Sequence, residues 1–403
     1  MKVVIIGGGA SGMMCASILS ENKSCEIVLI ERNEKLGKKV YITGKGRCNV
    51  TNLSPVSEHI ENVVTNPKFM LSSLNAFTPY DLIEFLNKNG LKTKVERGNR
   101  VFPASDKSSD VIKLFLNKLQ SNGVSILYNT VVTKCERQEN GFIVYTQNGN
   151  ICCDKLVVAT GGLSYPMTGS SGMGLDIAKD FGHSIVQPKP ALVPIILKSF
   201  DCSLAGLTLK NVSAMVVLNG KRFSKFGEML FTHEGVSGPI ILSLSSLINK
   251  YNVSGATLSI DLKPALTEGT LVSRMDRERA EYGKKLMKNY LTTFIPSTLV
   301  PIFVDRLNLA NKRLCDFSQS DKLSLVKLLK NFDYEIDRLD SIEHGIITSG
   351  GVCVKDINPK TMESKIVKGL FFIGEVLDVD ALTGGFNMQI AFSTAHACAS
   401  YII

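Results

Sequence analysis

The run Lys2-Val3-Val4-Ile5-Ile6 passes directly into Gly7-Gly8-Gly9-Ala10-Ser11-Gly12. A short, β-branched, apolar stretch of this kind fits a strand covered on both faces of a parallel sheet. Apolar residues then recur at helical spacing over about residues 10–21, and a second apolar run, 26–30, closes at Glu31. Strand, glycine turn, helix and strand in about thirty residues make a complete β-α-β unit. Each glycine has a task there. Gly7 permits the tight turn, Gly9 lets the backbone approach a pyrophosphate, and Gly12 lets helix and sheet pack closely. The helix start, through Ala10 and Ser11, supplies N–H groups and a positive dipole end for phosphates. Glu31 stands nineteen residues beyond Gly12, where a carboxylate accepts ribose hydroxyls. The chain therefore reads as a dinucleotide binder with an α/β, Rossmann-like sheet.

That unit alone does not choose between FAD and NAD. Two later strand ends do more: 155–159 running into Thr160-Gly161-Gly162, and 369–373 running into Gly374-Glu375. In two-dinucleotide flavoproteins late strands complete the same sheet, and a Gly-acid pair after the last one reaches the ribityl and pyrophosphate region. The order of these turns favours FAD. Between them the pattern predicts helices over 67–76, 79–89 and 108–122, then a β-meander over 124–158 with turns at Glu139-Asn140-Gly141 and Asn148-Gly149-Asn150. Pro188, Pro190 and Pro194 mark a boundary. Beyond it come strand-like pieces over 191–262, a charged helical stretch over 267–331, renewed strands after Phe332, and a last helix over about 387–401.

Composition narrows the class. A chain of 403 residues with 44% hydrophobic and 21% charged residues is long enough for two to four domains and ordinary for a globular protein. No apolar run approaches the roughly 18–20 residues of a membrane span, and no basic-then-apolar leader is seen. Cysteines at 15, 25, 48, 135, 152, 153, 202, 315, 353 and 398 include no Cys-x-x-Cys pair. Scattered thiols of this kind read as reduced and cytoplasmic, and neither they nor the five dispersed histidines propose a metal site. The net charge of +9 is compatible with phosphates, nucleotides or nucleic acid. It is concentrated in two runs. Residues 32–47 carry six basic residues against Glu34, and 198–225 carry Lys198, Lys210, Lys221, Arg222 and Lys225 against Asp201.

Gly44-Lys45-Gly46-Arg47-Cys48-Asn49-Val50-Thr51-Asn52 resembles the signature of the BaiN/RdsA-type NAD(P)/FAD-dependent oxidoreductases. Further segments agree along the whole chain: 159–166 with 168–170 and Gly182-His183, then 230–239, then 348–352 with 362–365. The last is 374–380 running into Thr383-Gly384-Gly385-Phe386-Asn387-Met388-Gln389. The resemblance implies a discontinuous FAD-binding domain of the two-dinucleotide-binding flavoprotein type (1–188 and 349–403), an inserted β-barrel-like domain (189–266 and 331–348) and a small helical domain (267–330).

It also implies site residues. Adenosine would lie near Gly7–Gly12, Glu31 and Arg32. The isoalloxazine would lie between the loop at Gly44, Gly46, Arg47, Cys48 and Asn49 and the helix entered at Gly385, Phe386, Asn387 and Met388. Further FAD contacts would come from Lys39, Val132, Thr160, Gly161, Gly162, Gly374, Glu375 and Asp378. Three residues are catalytic candidates. His233 suits proton delivery near neutral pH, or is a barrel histidine bonded to backbone. Tyr165 is a second acid, or packs. Cys48 reads as a packing or flavin-contacting thiol, since no second cysteine is close in sequence. Phe386 in place of the usual Tyr, Ala381 in place of Gly, and Met167 and Met173 at positions expected to be polar depart from the family pattern. The turn at 169–174 would cradle a visiting phosphate or simply cap a helix.

The activity implied is flavin hydride transfer from NAD(P)H, a transient reductant, to an electron-poor C=C of an organic acceptor. A small-molecule substrate comes first. A ribosomal RNA uracil, or amine oxidation with oxygen as for aminoacetone, are the alternatives. No metal and no membrane partner are expected, and the oligomeric state is open.

Overall fold

The computed structural model describes residues 1–403. Two compact units divide the chain, Met1–Ala191 with Ser341–Ile403, and Leu192–Asp340.

The first unit is built on a five-stranded parallel sheet. Its strands, in spatial order, are Leu370–Phe372, Lys155–Val158, Lys2–Ile6, Glu26–Ile30 and Ser125–Leu127. The first strand is central, so Val3, Val4 and Ile5 have no exposed surface. A strand covered on both faces must be apolar along its length, which is what the sequence shows. The first helix, Ala10–Leu19, and the last, Phe386–Ile402, pack on one another. The expected meander forms from Val132–Gln138, Gly141–Thr146 and Gly149–Cys153. A three-stranded sheet joins Thr51–Asn52, Arg100–Pro103 and Thr93–Glu96. Strands Ile185–Ala191 and Ile347–Val352 pair antiparallel. They run across residues 188/189 and 348/349, the boundaries drawn from sequence.

The second unit is a closed six-stranded barrel. It is ordered Ile195–Leu197, Gly235–Ser237, Lys221–Phe231, Thr208–Leu218, Thr257–Asp261 and Phe332–Leu339, the last pairing with the first. The charged helical stretch supplies Glu268–Tyr282, Val300–Arg306 and Gln319–Lys330. Its Leu271, Met275, Phe303 and Leu325 share one apolar cluster with the barrel's Val216, Leu258 and Ile336.

One expectation is corrected here. The strand-like reading of 191–262 fails over Pro239–Ile248, which is a helix. The run Ile-Ile-Leu-Ser-Leu-Ser-Ser-Leu-Ile alternates enough to resemble a strand, but Pro at the first helical position starts a helix. Its buried Ile240, Ile241, Leu244 and Ile248 join the barrel's core.

Candidate functional site

Within the first unit the glycine turn opens onto a cleft of about 380 Å³. Local packing explains the three glycines separately. A Cβ on Gly7, where φ is +108°, would lie 2.4 Å from the Ala159 carbonyl oxygen, and one on Gly12 would lie 1.9 Å from that of Gly7. Those two positions hold helix, turn and sheet together. A Cβ on Gly9 would meet nothing within 4 Å, and Gly9 has φ −79°. Its open side lines the cleft. The helix it begins has no side-chain cap and no acid in its first turn. Ala10 and Ser11 line the same cleft, so the orphan N–H groups and positive dipole end serve whatever anion enters.

Glu31 is buried at the end of the second strand. Its Oε2 accepts the Gly8 N–H at 2.9 Å, and its Oε1 accepts from the Asn33 backbone at 2.8 Å and from Asn33 Nδ2 at 2.7 Å. The carboxylate is thereby held rigid, with one lone pair of Oε2 left for a ribose hydroxyl. Of the turn at 169–174, singled out for a visiting phosphate, Gly169, Ser170, Ser171 and Met173 lie on the wall of this same cleft. Asn33 Nδ2 donates to the Thr168 carbonyl at 3.0 Å and Arg32 Nη1 to the Gly169 carbonyl at 3.5 Å. Gly172, at φ +84°, precedes the next helix, Met173–Asp180, which has no side-chain cap.

Farther along, Lys39 Nζ donates to Glu375 Oε2 at 2.7 Å and to Ser164 Oγ at 2.6 Å. Glu375 Oε1 accepts from Ser164 Oγ and from the Thr348 N–H. This network ties the helix Lys38–Ile42 to the late strand end, and both Lys39 and Glu375 line the cleft. Val132, Thr160, Gly161, Asn387 and Met388 also line it, with Ile347, Val379 and Ile390 forming apolar wall. The last helix therefore presents a second uncapped N-terminus, begun at Gly385 with φ +104°.

Other expected residues support this wall from behind. A Cβ on Gly385 would lie 2.4 Å from the Thr51 carbonyl, one on Gly162 would lie 2.4 Å from Thr348 Oγ1, and one on Gly374 would lie 2.5 Å from Ser11 Oγ. Asn387 Oδ1 accepts the Ala381 N–H and its Nδ2 donates to the Ala381 carbonyl. Residue 381 is thus engaged through its main chain, and a methyl in place of hydrogen leaves those bonds intact. Phe386 is buried with its ring edge-on to His59, 4.9 Å between centroids. Asp378 Oδ2 accepts from Asn66 Nδ2.

Arg47 is committed elsewhere. It bonds Glu96 and Asp106 and lies 4.2 Å over the Phe102 ring, and its bonds to Glu96 and then Asp106 raise its already high pKa. The loop from Gly44 through Gly46 to Asn49 closes on itself, with the Cys48 N–H donating to the Thr43 carbonyl at 2.9 Å. Cys48 has no exposed surface, and burial pushes its thiol up to about 12. Tyr165 is half-buried in a turn, with φ +52°, that donates its N–H to the Glu343 carbonyl. In the second unit, His233 is exposed on the turn after strand Lys221–Phe231, closed by the Thr232 N–H to the Gly235 carbonyl.

Sequence reasoning missed Gly37, Thr130, Val131 and Ile346 on the cleft wall. Only Gly37 carried a signal, a glycine just before a short helix that proves left-handed at φ +68°.

The cleft suits FAD. Two uncapped helix starts face it, one glycine leaves open the space a side chain would fill, and a fixed carboxylate stands beside the glycine turn.

Residues 1–401 match the family described as HI0933-like protein Rossmann domain. The chain is 31% identical over 404 residues to a ribosomal RNA dihydrouridine synthase of Haemophilus influenzae, covering 98% of this chain and 97% of that one. It is 32% identical to the protein of that name from Escherichia coli, covering 99% and 97%. A 3-dehydro-bile acid delta(4,6)-reductase of Clostridium scindens is 27% identical, covering 98% and 97%. In fold, the chain resembles a 3-ketosteroid delta1-dehydrogenase of Sterolibacterium denitrificans, with a TM-score of 0.54 over 99% of this chain and 98% of that one, at 13% identity.

Proposed function

The chain belongs to the HI0933-like Rossmann family of FAD-dependent oxidoreductases, and from that premise we propose that it reduces an electron-poor C=C bond, conjugated to a carbonyl, at the expense of NAD(P)H. One NAD(P)H and one proton are consumed, and NAD(P)⁺ and the saturated product leave. FAD, when bound, supplies the hydride relay between the two. The observation that carries this reading is the pair of uncapped helix starts on one cleft, Ala10–Leu19 and Phe386–Ile402. The first would hold the pyrophosphate. The second would stabilise negative charge on the pyrimidine edge of a reduced flavin. Lys39 and Glu375 would fix the ribityl side, with Gly9 giving backbone access. His233 is the proposed proton donor, with Tyr165 the alternative, and Cys48 packs rather than reacts.

A second reading makes the acceptor a uracil of ribosomal RNA, whose C5=C6 bond is conjugated to a carbonyl. The 31% and 32% identities to two ribosomal RNA dihydrouridine synthases, over nearly full length, favour it, and it would place the reaction in the cytoplasm. No helix is long and apolar enough to cross a membrane.

Anaerobic mixing of the FAD-loaded protein with NADH and with NADPH tests the proposal. Loss of the oxidised flavin absorbance, slow return in air and fast return with a steroid enone or unmodified ribosomal RNA is the expected result. His233→Ala should leave the first step intact and slow the return with acceptor. Failure of both nucleotides to reduce the flavin overturns the reading and leaves amine oxidation with oxygen.

A further inference from the structure

The long hairpin of the barrel unit, Thr208–Leu218 and Lys221–Phe231, carries surface that the chemistry above does not use. Its two faces differ. Val212, Ala214 and Val216 are buried in the barrel core. Gly227, paired with Val212, lies so close to the Pro239–Ile248 helix that a Cβ there would be 2.9 Å from Ile240 Cγ2. That helix therefore covers the inner side.

The outer side is open. Cross-strand partners share a face, so Ser213 with Phe226, Met215 with Ser224, and Val217 with Arg222 stand together on it. Phe226 is 64% exposed and Val217 49%. The Asn219-Gly220 turn, both residues at positive φ, ends this face beside Arg222, whereas Lys221 pairs with the buried Leu218 and belongs to the other face. From 208 to 231 the hairpin has Lys210, Lys221, Arg222 and Lys225 against a single acid, Glu228. Lys210, Lys221 and Arg222 are exposed and form no ion pair, whereas Lys198, in the turn after strand Ile195–Leu197, is bound to Glu335.

Cations on a sheet edge commonly serve to prevent edge-to-edge pairing. That accounts for Lys221 and Arg222. It does not account for a phenylalanine ring left in water on the same face. A pleated surface with an exposed aromatic ring and unpaired cations is the chemistry that holds single-stranded nucleic acid, the ring stacking a base and the cations meeting phosphates. We infer that the outer face of this hairpin, through Phe226, Lys210 and Arg222, is a docking surface for single-stranded RNA. The inference rests on the RNA reading of the acceptor and adds where the strand is held.

The test uses full-length FAD-loaded protein, a fluorescein-labelled single-stranded oligouridylate and an unmodified ribosomal RNA transcript, titrated over a range of salt. Phe226→Ala should weaken binding about tenfold without changing the salt slope, since stacking releases no counterions. Replacing Lys210 and Arg222 together by Gln should lower the slope of log K against log salt by about 1.4, at roughly 0.7 for each phosphate no longer neutralised. Flavin reduction by NAD(P)H should be unchanged in both variants, which reports that each is folded. If the parent protein binds RNA and both variants bind it equally well, the surface is wrong while the RNA reading stands. If the parent protein binds neither probe yet reduces a small enone, both fall.

Discussion

Thr51 Oγ1 donates to Gln389 Oε1 across 2.6 Å, joining a two-residue strand to the last helix at a site where neither residue is exposed. Gln389 Nε2 continues to the Phe77 carbonyl at 3.1 Å. The neighbouring Asn52 Nδ2 donates to the carbonyls of Gly98 and Gly384. The two most distinctive segments of the sequence, 44–52 and 383–389, thus bind one another, and their meeting point sets the start of the helix that faces the cleft. Gln389→Leu is nearly isosteric but leaves the Thr51 hydroxyl without its acceptor. It should cost about 1–3 kcal/mol and weaken FAD retention, read by denaturant unfolding with and without added FAD. Unchanged unfolding would mean that water or another group replaces the amide.

Two glycines of the first turn should fail in different ways. Gly12→Ala puts a methyl 1.9 Å from the Gly7 carbonyl, so the turn itself must shift. Soluble protein should be scarce or markedly destabilised. Gly9→Ala meets no protein atom within 4 Å, at a φ of −79° that any residue adopts. This variant should unfold at the same denaturant concentration as the parent when free of FAD, yet bind FAD at least tenfold more weakly by fluorescence titration. Equal FAD affinity would show that the open space beside Gly9 is not where the pyrophosphate lies.

How much of this was legible depended on whether a residue type announces its partner. The β-α-β unit could be read because Gly7 and Gly12 are demanded by close backbone contacts that nothing larger survives. The late glycine turns could be read for the same reason. Motif residues with polar side chains were harder. Asn387 serves the Ala381 main chain, and Arg47 serves Glu96 and Asp106. The sequence shows such residues but not which groups they will meet. Thr130 and Val131 reach the cleft from an irregular segment before a strand, a placement set by tertiary packing rather than by side-chain type. The helix Pro239–Ile248 was hidden by a Ser/Leu/Ile alternation that mimics a strand until the barrel core dictates which side is buried.

Cys48 should be inert. Burial pushes its thiol up to about 12 from 9.0, so at pH 8 only about one molecule in ten thousand carries the thiolate that reacts. Iodoacetamide applied to the folded protein should label the exposed Cys152, Cys202 and Cys315 and spare Cys48, as read by peptide mass spectrometry. Cys48→Ala should keep flavin reduction by NAD(P)H within about threefold, the loss coming from packing. Rapid labelling of Cys48, or abolished reduction in the variant, would restore it as a redox group.

Acid should destabilise the flavin unit through three histidines, His59 and His183 buried and His396 half-buried. His59, His183 and His396 all have pKa values lowered from 6.5, in each case chiefly because burial disfavours the charged ring. His59 faces the Asn52 carbonyl and the Phe386 ring, and His183 faces Ser364 Oγ and the Ala178 carbonyl, with Asp356 nearby. His396 stacks on Phe77 at 4.6 Å with Asp81 nearby, and its Nδ1 has no partner. Below about pH 6.5 the unfolded chain binds protons at these positions that the folded chain refuses. Stability must then rise with pH across that window, being fully present above 6.5 and lost as pH falls toward the depressed folded values. His396→Phe keeps the stacking ring and removes one titration. Its denaturation midpoint should fall less than the parent's between pH 7.5 and 5.5, with the two proteins compared at each pH. An identical acid loss in both would show that His396 takes up its proton in the folded state, and would assign the acid sensitivity to other groups.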